Sequence, residues 1–341
     1  MRTYIKLFAM KRVVFFLSLV LFISSCSRNP LKIDVTDVSI DLKIRHLDVD
    51  LLQTKPDQME ASIPDFKSAY GEFFDIFTYR MIGIGGSDQP KFIEMLNSFV
   101  KDTLVQQLKV TVSEKIDTVE LRNELVSAFK HYRFYFPNKE IPLIVTCISG
   151  FNQSVVTSGN LIGISLEKYL GGESKFFEQL GLPAYKRRNM HPEKIVPDAM
   201  YAWAVTEWPK AENANSLLSQ MIYEGKMIYF VDAMLPELHD SLKIGFTKKQ
   251  LDFCRKDEAS MWTFLAEHKQ LFTTDRMSIK RFMDDGPYTA SFTENSPART
   301  GVWIGWQIVR SYMGKNPDIK LPDLMNNNDF QGILNQSGYQ P

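Results

Sequence analysis

Two periodicities run along the chain. Ile33, Val35, Val38, Ile40, Leu42 and Ile44 alternate with polar neighbours, so residues 33–49 read as a strand. Ile141-Pro-Leu-Ile-Val-Thr-Cys-Ile148 is an apolar run of buried-strand length. Residues 154–164 alternate about Ser158-Gly159-Asn160, as a hairpin does. The spacing elsewhere is helical. It covers much of 65–130, with Lys91–Lys101 and Thr118–His131 the clearest segments, and it dominates from Pro197 onward. Pro197 and Asp198 open one helix, which Pro209 ends. Asn213 or Asn215 caps a second, burying Leu217, Leu218, Met221, Ile222, Met227, Ile228 and Val231. Thr247–Lys269 and Gly301–Met313 are further helices. Strands early and in the middle, with helices on either side, predict an α+β fold. It is mostly helical, with a small mixed sheet that includes a hairpin near 141–164, in a single domain over 33–341.

The N-terminus changes the picture of where the chain works. Lys11 and Arg12 precede the uncharged run Val13–Ile23, which Ser24, Ser25 and Cys26 follow. A basic head, a short apolar run and small residues make a secretory signal peptide over 1–25. The run falls short of the ~20 apolar residues that a spanning helix needs. Ile23-Ser-Ser-Cys26 has the form of a bacterial lipobox, in which Cys26 takes diacylglycerol and a fatty acyl group such as palmitate and becomes the new N-terminus. Residues 26–32 then form a tether, and the protein is lipid-anchored in the cell envelope, facing the periplasm. Its first partner is membrane lipid.

Charge is balanced over 341 residues, with 40 Lys+Arg against 40 Asp+Glu. Arg2, Lys6, Lys11 and Arg12 leave with the signal, so 36 cations face 40 anions, a net −4. That argues against a nucleic-acid partner, which would call for a basic surface. With 44% apolar residues, the mature chain can build a substantial core. Cys147 and Cys254 read as buried free thiols, and neither lies in a zinc-type spacing. Gly83-Ile-Gly-Gly86 lacks the phosphate-loop pattern and reads as a loop after a helix. None of the five histidines, at 46, 131, 191, 239 and 268, stands in His-Glu-x-x-His. No cofactor, resident metal or catalytic residue is expected.

Three segments carry a resemblance. Met221-Ile-Tyr-Glu-Gly-Lys-Met-Ile-Tyr-Phe230 with its continuation to Pro236, Leu242–Leu251, and the Trp/Gly-rich stretch Phe292–Met313 resemble the gliding-motility lipoprotein family GldB of Bacteroidota. The signal with Cys26 and the closing Gly338-Tyr-Gln-Pro341 fit the same family. The resemblance implies a component of the gliding apparatus linked to type IX secretion, with proteins of that machinery as partners. It also implies a zincin-like fold, a peptidase architecture whose first-helix zinc ligands are gone, with Glu224 where such enzymes place their third ligand.

A degenerate cleft would then gather Asp198, Ala202, Glu224, Arg299, Trp303 and Trp306. The helix at 197–208 packs beside that at 215–234, and Arg299 is the expected partner of Glu224, because a buried carboxylate needs one. Core packing of an aromatic helix is the plainer reading of Trp303 and Trp306, with Gly305 allowing close approach of a neighbour. For Arg299 it is a structural ion pair. Lys186-Arg-Arg188 reads as a solvated basic loop, or else as a contact for phospholipid or an acidic partner. Asp198, Glu207 and Glu224 could form a carboxylate cluster for a glycosidase, though nothing in the spacing demands it. The competing function is an enzyme, a metal-dependent peptidase with unusual ligands or a cell-wall hydrolase.

Overall fold

The computed structural model describes residues 29–341; the signal peptide and Cys26 lie outside the described residues. Two units divide the chain, Met1–Ile33 and Asp34–Pro341. In the first, only Asn29–Ile33 are described, and there the Asn29 side chain accepts the Leu31 N–H at 3.0 Å. The buried core and every helix and strand described here belong to the second.

Four strands form a mixed sheet in the order β1-β2-β4-β3. They are β1 (Ile44–His46), β2 (Leu143–Cys147), β3 (Val155–Ser158) and β4 (Leu161–Ser165). β1 and β4 run parallel to β2, and β3 turns back antiparallel on β4 through Gly159 in the left-handed region. The hairpin thus forms where the alternation places it. The early strand is much shorter than the alternation at 33–49 predicts. β2 offers β1 a partner only over Ile144–Thr146, and the chain enters a helix at Leu47. Ahead of it the Asp34 side chain accepts the Thr36 N–H at 2.9 Å in a local turn that competes with a ladder.

Six helices position the site: α1 (Thr118–Tyr135), α2 (Ile195–Glu207), α3 (Leu217–Met234), α4 (Lys248–Glu267), α5 (Thr300–Lys315) and α6 (Phe330–Ser337). α2 begins two residues before Pro197. A proline is tolerated in a first turn because the N–H it lacks has no partner there. α3 is capped by Ser216 rather than by either asparagine. Ser216 Oγ accepts the Ser219 N–H at 3.2 Å, while Ser219 Oγ accepts that of Ser216 at 3.0 Å. This reciprocal cap satisfies two donors at once.

α3 is buried nearly all round, including the seven apolar positions its spacing predicted. α2, α1, α5 and α6 pack around it. Its closest neighbour is α5. A Cβ on Gly225 would stand 2.3 Å from the Gly305 carbonyl oxygen, and one on Gly305 only 1.8 Å from that of Met221. The two backbones touch where both side chains are hydrogen. Cys147 on β2 and Cys254 on α4 are both free and buried. Among the described residues, no helix is long and apolar enough to cross a membrane.

Candidate functional site

α2 and α3 lie side by side, and the contact between them is polar at one point. The Tyr201 hydroxyl, on α2, donates to Glu224 Oε2, on α3, at 2.6 Å. Both residues are half-buried. Burial, followed by the Glu224 carboxylate, pushes the Tyr201 hydroxyl well up, so it remains a donor; the charge of Arg299 acts the other way. Glu224 therefore has a neutral partner.

Arg299 does not take the role expected of it. Its Nη1 donates to the Ile244 carbonyl oxygen at 3.1 Å, and no ion pair joins it to Glu224 among the described residues. The reason is its backbone. Arg299 is the residue before α5, held at φ 59°, a conformation that costs a non-glycine residue roughly 1–3 kcal/mol. Its carbonyl accepts the Val302 and Trp303 N–H groups at 3.0 and 3.2 Å, while its side chain offers no cap.

The remaining cleft residues are dispersed. Asp198 pairs with Lys194, one turn earlier, at 2.8 Å and accepts from the Tyr169 hydroxyl at 3.2 Å. The Ala202 carbonyl accepts from Thr206 Oγ1 at 2.9 Å, and Thr206 meets Thr157 of β3 at 2.6 Å, tying α2 to the sheet edge. Trp303 is buried and donates Nε1 to Glu258 at 3.1 Å; Glu258 also accepts from Tyr339, in the closing motif, at 2.7 Å. Trp306 is buried and donates Nε1 to Asp232 at 2.8 Å, with the Arg310 guanidinium 3.7 Å from its ring centre. The two tryptophans are core residues with satisfied N–H groups. Neither indole is hydrogen-bonded to Glu224 among the described residues.

The carboxylates of the glycosidase alternative are also paired elsewhere. Glu207 is held by Lys139 and by the Tyr132 hydroxyl, so Asp198, Glu207 and Glu224 each have separate partners. Among the described residues, no three His, Cys, Asp or Glu side chains converge as a metal site requires.

Three groups escaped the reading of the sequence. Tyr201 stands one turn after Asp198, a position at which a helical face could have been searched. Asp232 lies in an otherwise apolar helix, a buried charge that demands a cation. Arg310 answers it with two bonds of 2.9 Å, and its spacing of four from Trp306 was the available signal. Lys186 is exposed, but it lies in a short helical turn, Ala184–Arg187, rather than in a loop. Arg187 and Arg188 depart further from the solvated loop expected, with side chains only 21% and 19% exposed.

The family model for the gliding motility protein GldB matches the chain over residues 28–341. No curated protein and no solved structure matches it.

Proposed function

Because the chain belongs to the gliding motility protein GldB family, we propose that it is a non-catalytic lipoprotein of the gliding machinery, linked to type IX secretion and held in the cell envelope by acyl chains on Cys26. In this reading the domain is a zincin-like fold retained for assembly. One observation carries it. Glu224 stands between the two central helices facing α2, where the family resemblance puts a former metal ligand, and the group that meets it is the Tyr201 hydroxyl at 2.6 Å. A tyrosine that fills a carboxylate's coordination with a hydrogen bond suits a packed cleft better than a reactive one. The mixed sheet with an antiparallel edge strand beside α2 is compatible with the same ancestry.

The test separates chemistry from assembly. Deleting the gene abolishes colony spreading, and plasmid-borne Glu224→Ala or Tyr201→Phe restores it, whereas Cys26→Ala does not. Spreading lost on Glu224→Ala, with the variant present at normal abundance, would favour an enzyme. Spreading kept after deletion would end the motility reading. Stoichiometric zinc in the purified protein would end the non-catalytic one.

A further inference from the structure

The Arg188 guanidinium presents an accounting problem. Its side chain is about four-fifths buried, yet among the described residues its Nε has no hydrogen-bond partner, and its one carboxylate contact is Asp285 at 4.0 Å. Buried donors are normally satisfied, and one that is not calls for an explanation. Neighbouring Arg187 also has an unpartnered Nε, but its Nη1 reaches Glu178 at 3.3 Å.

A second guanidinium lies at the same junction. Asn189 Nδ2 donates to the Gly245 carbonyl at 3.1 Å, and Arg299 Nη1 donates to the adjacent Ile244 carbonyl at 3.1 Å. The two arginine-bearing segments are therefore pinned to consecutive carbonyls at the end of the helix Asp240–Ile244. Burial, opposed by Asp285, lowers the basicity of Arg188, and the charge of Arg299 lowers it further. Half-exposed Asp285 is the one carboxylate within ion-pair distance of Arg188 among the described residues, and none stands within that distance of Arg299. Glu224 accepts from the Tyr201 hydroxyl and makes no ion pair with either arginine among the described residues.

We propose that Arg188 and Arg299 form a binding site for a compact oxyanion, a phosphate or sulfate group, which the guanidinium donors would grip in bidentate fashion. The planar fork of arginine matches the spacing of phosphate oxygens, and each charge-assisted bond is stronger than a neutral one. The partial burial of both side chains favours a free or ligand-borne phosphate over a flat bilayer surface. This site goes beyond the motility role and does not depend on it.

Calorimetric titration of the purified full chain in neutral detergent with inorganic phosphate, at constant ionic strength, tests it. The expected result is saturable binding, weakened about tenfold or more by Arg188→Gln, the loss expected when charge-assisted bonds to the anion go. Lys186→Gln, at the exposed neighbour, leaves it within about twofold, since a surface charge contributes little. Should Arg188→Gln fold poorly, the wild type alone decides. Phosphate then protects Arg188 and Arg299 from phenylglyoxal, read by peptide mass, and leaves surface arginines such as Arg276 unprotected. Glycerol 3-phosphate bound more tightly than phosphate assigns the anion to a lipid headgroup, and equal affinity assigns it to free phosphate. No saturable binding at tens of millimolar phosphate, equal weakening by Lys186→Gln, or unprotected arginines would overturn the site.

Discussion

Two charged clusters flank the α3–α5 pair, and they are built in opposite ways. Around Asp232 every charge is answered. Its carboxylate receives Lys243 at 2.9 Å, Trp306 at 2.8 Å and two Arg310 donors at 2.9 Å, and Arg310 continues to Asp240 at 2.9 and 3.0 Å. The Asp232 and Lys243 side chains are each 3% exposed. Around Arg188 and Arg299 the donors outnumber the acceptors. A buried polar group adds to stability when its hydrogen bonds are complete and subtracts when they are not. Complete satisfaction marks Asp232 as part of the frame. Incomplete satisfaction marks the arginine junction as a place that awaits a ligand.

The most severe way to break the contrast is to remove the acceptor from the satisfied cluster. Asp232→Ala strands Lys243, which among the described residues has no other carboxylate within ion-pair distance, while Arg310 keeps Asp240. An uncompensated buried charge costs about 3–5 kcal/mol. The urea midpoint should fall accordingly, with the slope of the transition unchanged. A drop under about 1 kcal/mol would mean that solvent reaches Lys243 and that the cluster is not a frame.

What the sequence discloses follows the same division. Apolar period and turn chemistry made β2, the hairpin and the long helices legible, because burial and backbone geometry are written into local spacing. The family resemblance extended that reading over the whole domain. Partnerships over long separations were not legible. Trp306 and Asp232 are 74 positions apart, and Arg299 and Ile244 are 55. Nothing local to Arg299 announces that its backbone adopts a left-handed conformation or that its guanidinium bonds the Ile244 carbonyl. The 33–49 alternation misled for a related reason, since a strand needs a partner that only the fold can supply.

Gly305→Ala sharpens the comparison by disturbing both clusters through the crossing that carries them. A methyl group 1.8 Å from the Met221 carbonyl forces the two backbones apart. Overpacking of this kind costs typically ~1–3 kcal/mol. Gly314→Ala, in the same helix with nothing within 4 Å of the new Cβ, is the control. It should gain roughly 0.5–1 kcal/mol from helix propensity alone. Thermal melts of the two variants should therefore move in opposite directions. A matching pair of shifts would show that the α3–α5 contact adapts and that it does not hold the clusters in register.

The smallest effect is the most discriminating, because its sign differs from the others. Arg188→Met keeps an unbranched stem to cover the apolar surface under the arginine. It removes a guanidinium that has been taken out of water with little received in return. A structural arginine would be missed. One retained for binding should be neutral or mildly unfavourable to the empty fold, since binding groups are often kept at the expense of stability. Arg188→Met should therefore leave unfolding free energy unchanged or raise it by up to about 1 kcal/mol. Phosphate sharpens the reading, because a ligand that binds only the folded chain stabilises it in proportion to the logarithm of its concentration. Wild type should gain stability as phosphate is added and the variant should not, so their order reverses at high phosphate. If Arg188→Met instead loses more than about 1 kcal/mol without phosphate, the arginine belongs to the frame, and the two clusters differ in completeness but not in purpose.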